Sequence, residues 1–500
     1  MEYEASFETK ERFFSTFSQF NLITKTFGRK ADCQYPFGGN GGIPMAWREE
    51  DKTVFVDTSD SHTLIIGATG SKKSRLLAMP TAKLLGIAGE SMIISDPKGE
   101  IYNRTASELE LNGYKISVIN LREPLSGDMW NPLSIPYQFY CNGNFDRAYE
   151  FINDISTNLM LSDISIKDPY WDYSASDLFV GLVLLLFRFC KNERLSEKYV
   201  NIDNLLLLRR RIFEKHITFE ELKYWSFWEI IKDDNIIISS LIGTVSTAPN
   251  TQACILGVFD NKMRVFMISP TLLKMLSYNN NALASVGNEK TAIYLYLPDE
   301  KTSYHKLVSL FIKQSYEHLI YQAQFLKNNV LPVRVNYILD EFSSLPTIKD
   351  FPAMITAARS RNIRFNLIVQ SKHQLIQRYG HEAETIQTNC NNWIFLTSRE
   401  VNLLKEISEL CGNRSGGNKP LITISELQRL NKGKGEVLIL SGRHRAFKGY
   451  LPDIEQYDGD SFDVLDLPYQ SALIDDISDN DSNKIFEKLF IKQQNPKFDF

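Results

Sequence analysis

Cysteine is scarce in this sequence, with six in 500 residues: Cys33, Cys141, Cys190, Cys254, Cys390 and Cys411. None forms a C-x-x-C pair, and no histidine stands at metal-ligand spacing from one. That argues against a disulfide framework or a zinc site and fits a reducing compartment. Charge of one sign is lacking as well. The net charge is -4, which argues against a chain that coats nucleic acid over its whole surface. A ring or channel, by contrast, needs basic residues only where phosphates pass. Long hydrophobic runs are absent too. The strongest, Leu178 to Phe187, is bounded by Asp177 and Arg188 and falls well short of the roughly 20 residues that span a bilayer. It reads as a buried helix. Residues 1–20 show no signal-peptide pattern, no internal repeat is visible, and the chain by itself is expected to be soluble.

What is present is ordinary globular material, 43% hydrophobic and 23% charged, in a chain long enough for two or three domains. Residues 1–50 are mixed and end in the Gly-rich stretch Phe37 to Gly42. Phe55-Val56-Asp57 and His62 to Ile66 read as strands closing on Gly67, and Arg75 to Leu85 has helical apolar spacing. Ser91 to Ser95 and Tyr114 to Ile119 are further strands, and strands alternating with helices imply a parallel sheet. From about 145 to 285 helical patterns dominate, such as Arg147 to Leu161 and Tyr173 to Phe189. The αβ pattern resumes at Thr291 to Leu297 and continues with Val335 to Leu339, Phe365 to Val369 and Asn392 to Leu396. Each of these strands ends in a polar residue where sites in open α/β sheets sit. The expected segments are 1–50, a first motor part 51–144, an all-α insertion 145–285, a second motor part 286–452 and an acidic tail 453–500. The tail reads as solvated or, alternatively, as a docking segment for a basic partner.

Four motifs carry chemistry. Gly67-Ala68-Thr69-Gly70-Ser71-Lys72-Lys73-Ser74 nearly matches G-x-x-x-x-G-K-S/T, between a predicted strand and a predicted helix. Backbone N–H groups of such a loop face phosphate oxygens, Lys73 reaches the β and γ phosphates, and Ser74 ligates Mg²⁺. Lys72 stands where glycine is expected: its side chain either crowds the loop or points outward. In Val335-Asn336-Tyr337-Ile338-Leu339-Asp340-Glu341 a strand runs into two acids, the Walker B pattern. Asp340 would hold Mg²⁺ and Glu341 would polarise the attacking water. Gln370, at the end of the next strand, would sense the γ-phosphate. Arg359 and Arg361, in Ala358-Arg359-Ser360-Arg361-Asn362, could reach a neighbouring subunit's γ-phosphate. The basic run Arg209-Arg210-Arg211 reads as a solvated helix face.

These elements, in this order, resemble the TraG/TraD-type coupling proteins of conjugative DNA transfer, relatives of the FtsK/HerA translocases. Asp96-Pro97-Lys98-Gly99-Glu100-Ile101-Tyr102 is similar to that family's D-P-K-G-E-L-Y segment. Trp130-Asn131-Pro132-Leu133 is similar to its N-P-L turn, and Tyr170-Trp171-Asp172 to the start of its all-α domain. Leu339 to Phe342, Ala358 to Arg361, Ile368 to Ser371, Thr388 to Cys390, Ser408 to Gly412 and Ser425 to Leu427 keep the family's order, so the resemblance covers roughly residues 40–450.

The resemblance implies an α/β, RecA-like P-loop NTPase motor with a mainly parallel sheet and an inserted all-α domain. It implies ATP, Mg²⁺ and a homo-hexameric ring around DNA, with assembly on DNA left open. It also implies a relaxase–DNA complex and type IV secretion channel components as partners. Family members usually carry transmembrane helices before the motor. Here the chain would be a soluble variant, or a separate membrane-anchor protein would supply the contact, with the chain cytoplasmic or peripheral at the inner face of the cell membrane. Two other readings stay open at this point: a non-hydrolysing docking scaffold with a degenerate P-loop, and a soluble DNA pump in chromosome segregation or phage defence.

Overall fold

The computed structural model describes residues 6–22, 26–28, 41–161, 169–298, 304–414, 419–442, 444–457 and 479–491. Cys33, residues 37–40 of the Gly-rich stretch and the acidic residues from Asp458 to Asp476 lie outside these. The chain divides into two compact units. One is drawn from Met1–Val118, Ala282–Glu300 and Ser315–Pro468, the other from Ile119–Asn281, Lys301–Gln314 and Tyr469–Phe500.

The first unit holds two sheets. β1 (Ser18–Asn21), β2 (Thr26–Gly28), β3 (Ile43–Arg48) and β4 (Thr53–Asp57) form an antiparallel sheet in the order β2-β1-β4-β3. Residues 1–50 had shown no strand pattern. β3 carries Pro44 and a register shift between Pro44 and Ala46, which breaks the alternation a strand search relies on. The larger sheet contains β5 (His62–Gly67), β6 (Ser91–Asp96), β7 (Lys115–Asn120), β8 (Thr291–Tyr296), β9 (Val335–Leu339), β10 (Ile363–Val369), β11 (Cys390–Thr397), β12 (Glu436–Ser441) and β13 (Phe447–Tyr450). Their order is β13-β12-β11-β5-β10-β9-β6-β8-β7. β11, β5, β10, β9, β6 and β8 run parallel, while β12 and β13 close one edge as an antiparallel pair. β5, β6, β9 and β10 are buried along their whole length. This is why they read as unbroken apolar runs: a parallel strand covered on both faces has no polar side to alternate with.

Register decides what shares an edge. Ile66 pairs with Val369, Leu367 with Leu339, and Leu339 with Ser95. The residues that follow or end these strands, Gly67, Gln370, Asp340 and Asp96, therefore line up along the carboxyl edge, the place where open α/β sheets bind ligands.

The second unit is helical among its described residues, apart from the last residues of β7. Its long helix, Tyr170–Asn192, is long and apolar enough to cross a membrane by length and composition. Here Leu178 to Phe187 are buried except Val180, which is half-buried. They pack against helices Phe145–Met160, Asn235–Val245 and Pro249–Met267. Gly181 permits the closest approach, since a Cβ there would stand 2.8 Å from Leu241 Cδ2. The motif residues of this unit do structural work. Asn131 donates through Nδ2 to the Val200 carbonyl at 2.6 Å and accepts from the Leu133 amide at 2.9 Å, and Trp130 Nε1 donates to Gln314 Oε1 at 3.0 Å. Lys262 donates to Asp172 at 3.1 Å. Arg209 pairs with Asp260 at 2.6 Å, and Arg210 and Arg211 are exposed. The chain's late segment also belongs here: Phe486 packs on Phe189, 5.2 Å between rings, and the Phe227 amide donates to the Leu489 carbonyl.

Candidate nucleotide-binding site

β5 ends at Gly67, and the loop Ala68–Lys73 turns the chain into a helix that opens with one π-helical turn, Ser74–Ala78, before the α-helix Met79–Ala88. Gly67 has no room for a side chain, because a Cβ would meet Ser71 Oγ at 2.5 Å and Lys73 Cγ at 3.0 Å. Gly70 has φ +74° with open space around it, so the loop's outer wall is backbone alone. Ser71 is buried, and its Oγ has no hydrogen-bond partner. A buried hydroxyl left in that state costs free energy until an acceptor arrives. Lys73 is buried and folds back on the loop, its Nζ donating to the Gly67 carbonyl at 2.7 Å and the Ala68 carbonyl at 3.5 Å.

The acids of β9 meet this loop. Ser74 Oγ donates to Asp340 Oδ2 at 2.7 Å, joining groups 266 residues apart in sequence. Ser95 Oγ, one strand over, donates to the Asp340 carbonyl at 2.6 Å. Glu341 takes φ +55°, an uncommon conformation for a residue with a side chain, and its amide donates to Asp340 Oδ1 at 2.9 Å. Gln370 bridges the two halves of the site: its Nε2 donates to Glu341 Oε2 at 2.6 Å and its Oε1 accepts from Thr69 Oγ1 at 2.9 Å.

Electrostatics set the site's appetite. Burial pushes the Asp340 carboxyl above its ordinary range. The Ser74 hydrogen bond opposes this, the Glu341 charge adds to it, and the nearby Lys73 ammonium opposes it. Asp96, not among the site residues expected from sequence, ends β6 beside β9 fully buried. Burial, opposed by the Tyr102 amide bond and aided by the Asp340 charge, pushes it up to about 7. The sequence signal for Asp96 was the one that marked Asp340, an apolar strand ending in an acid. Burial lowers the Lys73 ammonium, Glu341 and Asp340 pull it back up, and Lys98 lowers it further. Crowded carboxylates that resist ionisation are relieved by a cation. Ser74 and Asp340 offer hard oxygen donors, which suit Mg²⁺. No group of three His, Cys, Asp or Glu able to hold a metal occurs among the described residues, so such a cation would complete its shell with phosphate or water.

Lys72 and the arginines are not in this cluster. Lys72, at φ +66°, directs its ammonium to Asp453 at 3.2 Å, so it points outward rather than crowding the loop. Arg359 and Arg361 precede β10 at the opposite end from Gln370. A seven-residue strand separates them from the loop by roughly 20 Å. Arg359 pairs with Asp60 at 3.3 Å, while the Arg361 guanidinium donates to the hydroxyl of Ser360 at 3.4 Å. A groove of about 930 Å³ lies elsewhere in the first unit, around Lys372, Trp393 and Arg445. It contains none of the phosphate-loop residues.

A mainly parallel α/β sheet with this loop after β5 and two acids at the end of β9, with β10 between the two strands, defines the P-loop NTPase class. Within it, the chain belongs to the type IV secretory system conjugative DNA transfer family, whose model matches residues 16–420. It is 21% identical over 434 residues to the conjugal transfer protein TraG of Escherichia coli, covering 83% of this chain and 64% of that protein. To the TraG of Rhizobium radiobacter it is 21% identical over 442 residues, again 83% and 64%. The chain thus spans under two thirds of the length of these relatives. Its fold is that of the plasmid coupling protein TrwB solved with the ATP analogue ADPNP, with a TM-score of 0.56 at 15% identity over 83% of this chain and 89% of that one. TrwB solved with ADP and Mg²⁺ gives 0.53 at 16% identity, over 79% and 85%.

Proposed function

We propose that this chain is an ATP-driven DNA translocase of the coupling-protein kind, which recruits a relaxase–DNA complex and passes it to a type IV secretion channel. The observation that carries the reading is the 2.7 Å bond between Ser74 and Asp340, which draws phosphate loop and Walker B acids into one pocket. TrwB's capture with ADPNP and with ADP and Mg²⁺ supports ATP and Mg²⁺ as the ligands. In this reading residues 51–144 and 286–452 make the motor, 145–285 the all-α insertion, and 1–50 and 453–500 the flanking segments. The chain works as a homo-hexamer around DNA, cytoplasmic or at the inner face of the cell membrane.

The residues divide the labour as follows. The amides of residues 68–74 cradle phosphate oxygens, and Lys73 exchanges its two carbonyl contacts for the β and γ phosphates. Ser74 and Asp340 hold Mg²⁺, which when bound offsets charge on the phosphate oxygens. Glu341 orients the attacking water, held in place by Gln370, whose other end rests on Thr69 and so reports on the loop. Arg361, half-buried with its guanidinium donating to the Ser360 hydroxyl, reaches a neighbouring copy's site; Arg359, tied to Asp60, is the second choice. The scaffold reading leaned on Lys72 crowding the cradle, and the outward course of Lys72 removes that reason. The test is turnover: purified protein with DNA should hydrolyse ATP, and Lys73→Ala or Glu341→Gln should abolish it. Absence of DNA-stimulated turnover, or turnover indifferent to both substitutions, would overturn the reading.

A further inference from the structure

The phosphate loop places a lysine where a glycine is expected, and a feature far along the chain is arranged around it. Lys72 holds φ +66°, a left-handed conformation that glycine adopts freely and a residue with a Cβ adopts at a steric cost. Its ammonium lies 3.2 Å from Asp453 Oδ2. The same carboxylate takes Arg75 in a two-pronged grip, Nε at 3.2 Å and Nη2 at 2.5 Å, and Glu455 Oε1 accepts from that Nη2 at 2.6 Å. The two cations that flank Lys73 and Ser74 are therefore drawn to one carboxylate, outside the cradle.

The carboxylate is delivered by a built platform. The Leu451 amide donates to the Gly435 carbonyl at 2.9 Å, and Leu451, Ile454 and Tyr457 are buried. Gly435, at φ +70°, leaves the Leu451 carbonyl oxygen where a Cβ would stand, 2.3 Å away. Only glycine allows that approach. The Asp453 side chain is 20% exposed, so solvent and salt screen its pairs less than they would on an open surface. Burial pushes its carboxyl up, and the Arg75 and Lys72 hydrogen bonds outweigh burial and hold it below the ordinary carboxylate range.

We infer that Asp453 is a positioning residue of the phosphate loop: by drawing Lys72 outward it keeps the loop open at the position where glycine otherwise does so. The inference rests on the nucleotide-site reading above. Released, the Lys72 ammonium sits one residue from Lys73 with Asp340 and Glu341 within the same pocket, and it competes for the space and the charges that the phosphates need.

The experiment compares the wild-type chain, Asp453→Asn, Asp453→Ala, Lys72→Gly and Lys72→Gly/Asp453→Ala. The readouts are the Kd of a fluorescent ATP analogue with Mg²⁺ and the urea midpoint of the nucleotide-free protein, with Lys73→Ala as control for binding at the loop. Either Asp453 substitution should weaken binding by about tenfold, the size of one lost charge-assisted contact. In the K72G background the Asp453→Ala loss should shrink to less than about twofold, because the Lys72 ammonium is gone and Arg75 keeps its bond to Glu455. The urea midpoints should show the same coupling without nucleotide: Asp453→Ala lowers the midpoint in the wild-type background more than in the K72G background. An equal loss of binding in both backgrounds, or no loss in either, would overturn the inference while leaving the nucleotide site standing. A wild-type chain that binds no analogue would overturn the site reading and this inference with it.

Discussion

Replacing Gln370 by glutamate strikes the site at its tightest contact. The native amide donates to Glu341 Oε2 at 2.6 Å while accepting from Thr69 at 2.9 Å. Gln370→Glu keeps the shape, keeps the acceptor for Thr69 and converts the donor into a second carboxylate. Two unit charges at the native 2.6 Å separation repel by about 6 kcal/mol at an effective dielectric of roughly 20. The pair escapes that cost by keeping one proton between them at neutral pH, as close carboxylates do. Glu341, the proposed base, is then protonated when water must be oriented. General-base assistance is worth about 10²–10⁴-fold, so DNA-stimulated ATP hydrolysis at pH 7 should fall by about 10²-fold. Part of it should return as the pH rises and the shared proton leaves. Gln370→Ala removes the donor without adding charge, so it should lose activity while keeping the native shape of the pH profile. The assay is kcat against pH for the three proteins. A Gln370→Glu profile that overlays the wild type would refute both the bond to Glu341 and its role as base.

Three further outcomes follow from particular contacts. His62, at the start of β5, accepts from the Phe365 amide through Nδ1 at 2.9 Å and donates from Nε2 to the Ile355 carbonyl at 2.8 Å. Burial, opposed by the Ile355 bond, lowers it to about 4 from 6.5. A depressed folded-state value means stability that is present above the unfolded value and lost as pH falls from 6.5 through 4. About 2 kcal/mol should be gone by pH 5, and urea midpoints at pH 7.5 and 5 should show His62→Asn losing less than the wild type over that interval. Arg361→Ala should reduce turnover by about 10³-fold while the nucleotide Kd of the isolated chain stays put; a matching fall in affinity would place Arg361 in its own chain's site. Gly181→Val drives a side chain into Leu241, 2.8 Å away, and should destabilise the protein by about 1–3 kcal/mol; unchanged urea unfolding would contradict the buried packing of Tyr170–Asn192.

What could be read from the sequence was what local chemistry and burial write into contiguous residues. β5, β6, β9 and β10 are covered on both faces, so each appeared as a short apolar run, and the acid or amide ending it marked the edge. The loop at residues 67–74 was legible because phosphate binding by backbone needs glycine at fixed offsets. Other features depend on pairing that sequence spacing does not record. The antiparallel edge strands β12 and β13 have ordinary composition and are defined by their neighbours. The π-helical turn at Ser74–Ala78 leaves the apolar spacing of the following helix unchanged, so Arg75 to Leu85 read as plain helix. Asp453 looked like one more charge in an acidic run, because its partners Lys72 and Arg75 lie 381 and 378 residues away. Asp96 gave the same signal as Asp340 but lacked a second acid beside it, and it was read only as part of a family segment.

The distribution of positive charge bears on whether one chain suffices. At the carboxyl edge two acids, Asp340 and Glu341, act on the buried Lys73, Asp96 is coupled to Asp340, and Lys98 is the further cation whose charge Lys73 feels. Lys72 and Arg75 stand next in sequence but are spoken for by Asp453 and Glu455. Arg359 and Arg361 lie at the far end of β10. A bound triphosphate brings several negative charges, and transfer of its terminal group spreads charge over the equatorial oxygens. On the proposed reading, Lys73 and one Mg²⁺ leave that charge incompletely met. The Arg361 guanidinium donates to the Ser360 hydroxyl at 3.4 Å, at the end of β10 away from the loop. On that same reading a second copy presenting Arg361 would supply what the first lacks, and hydrolysis would be a property of the assembly.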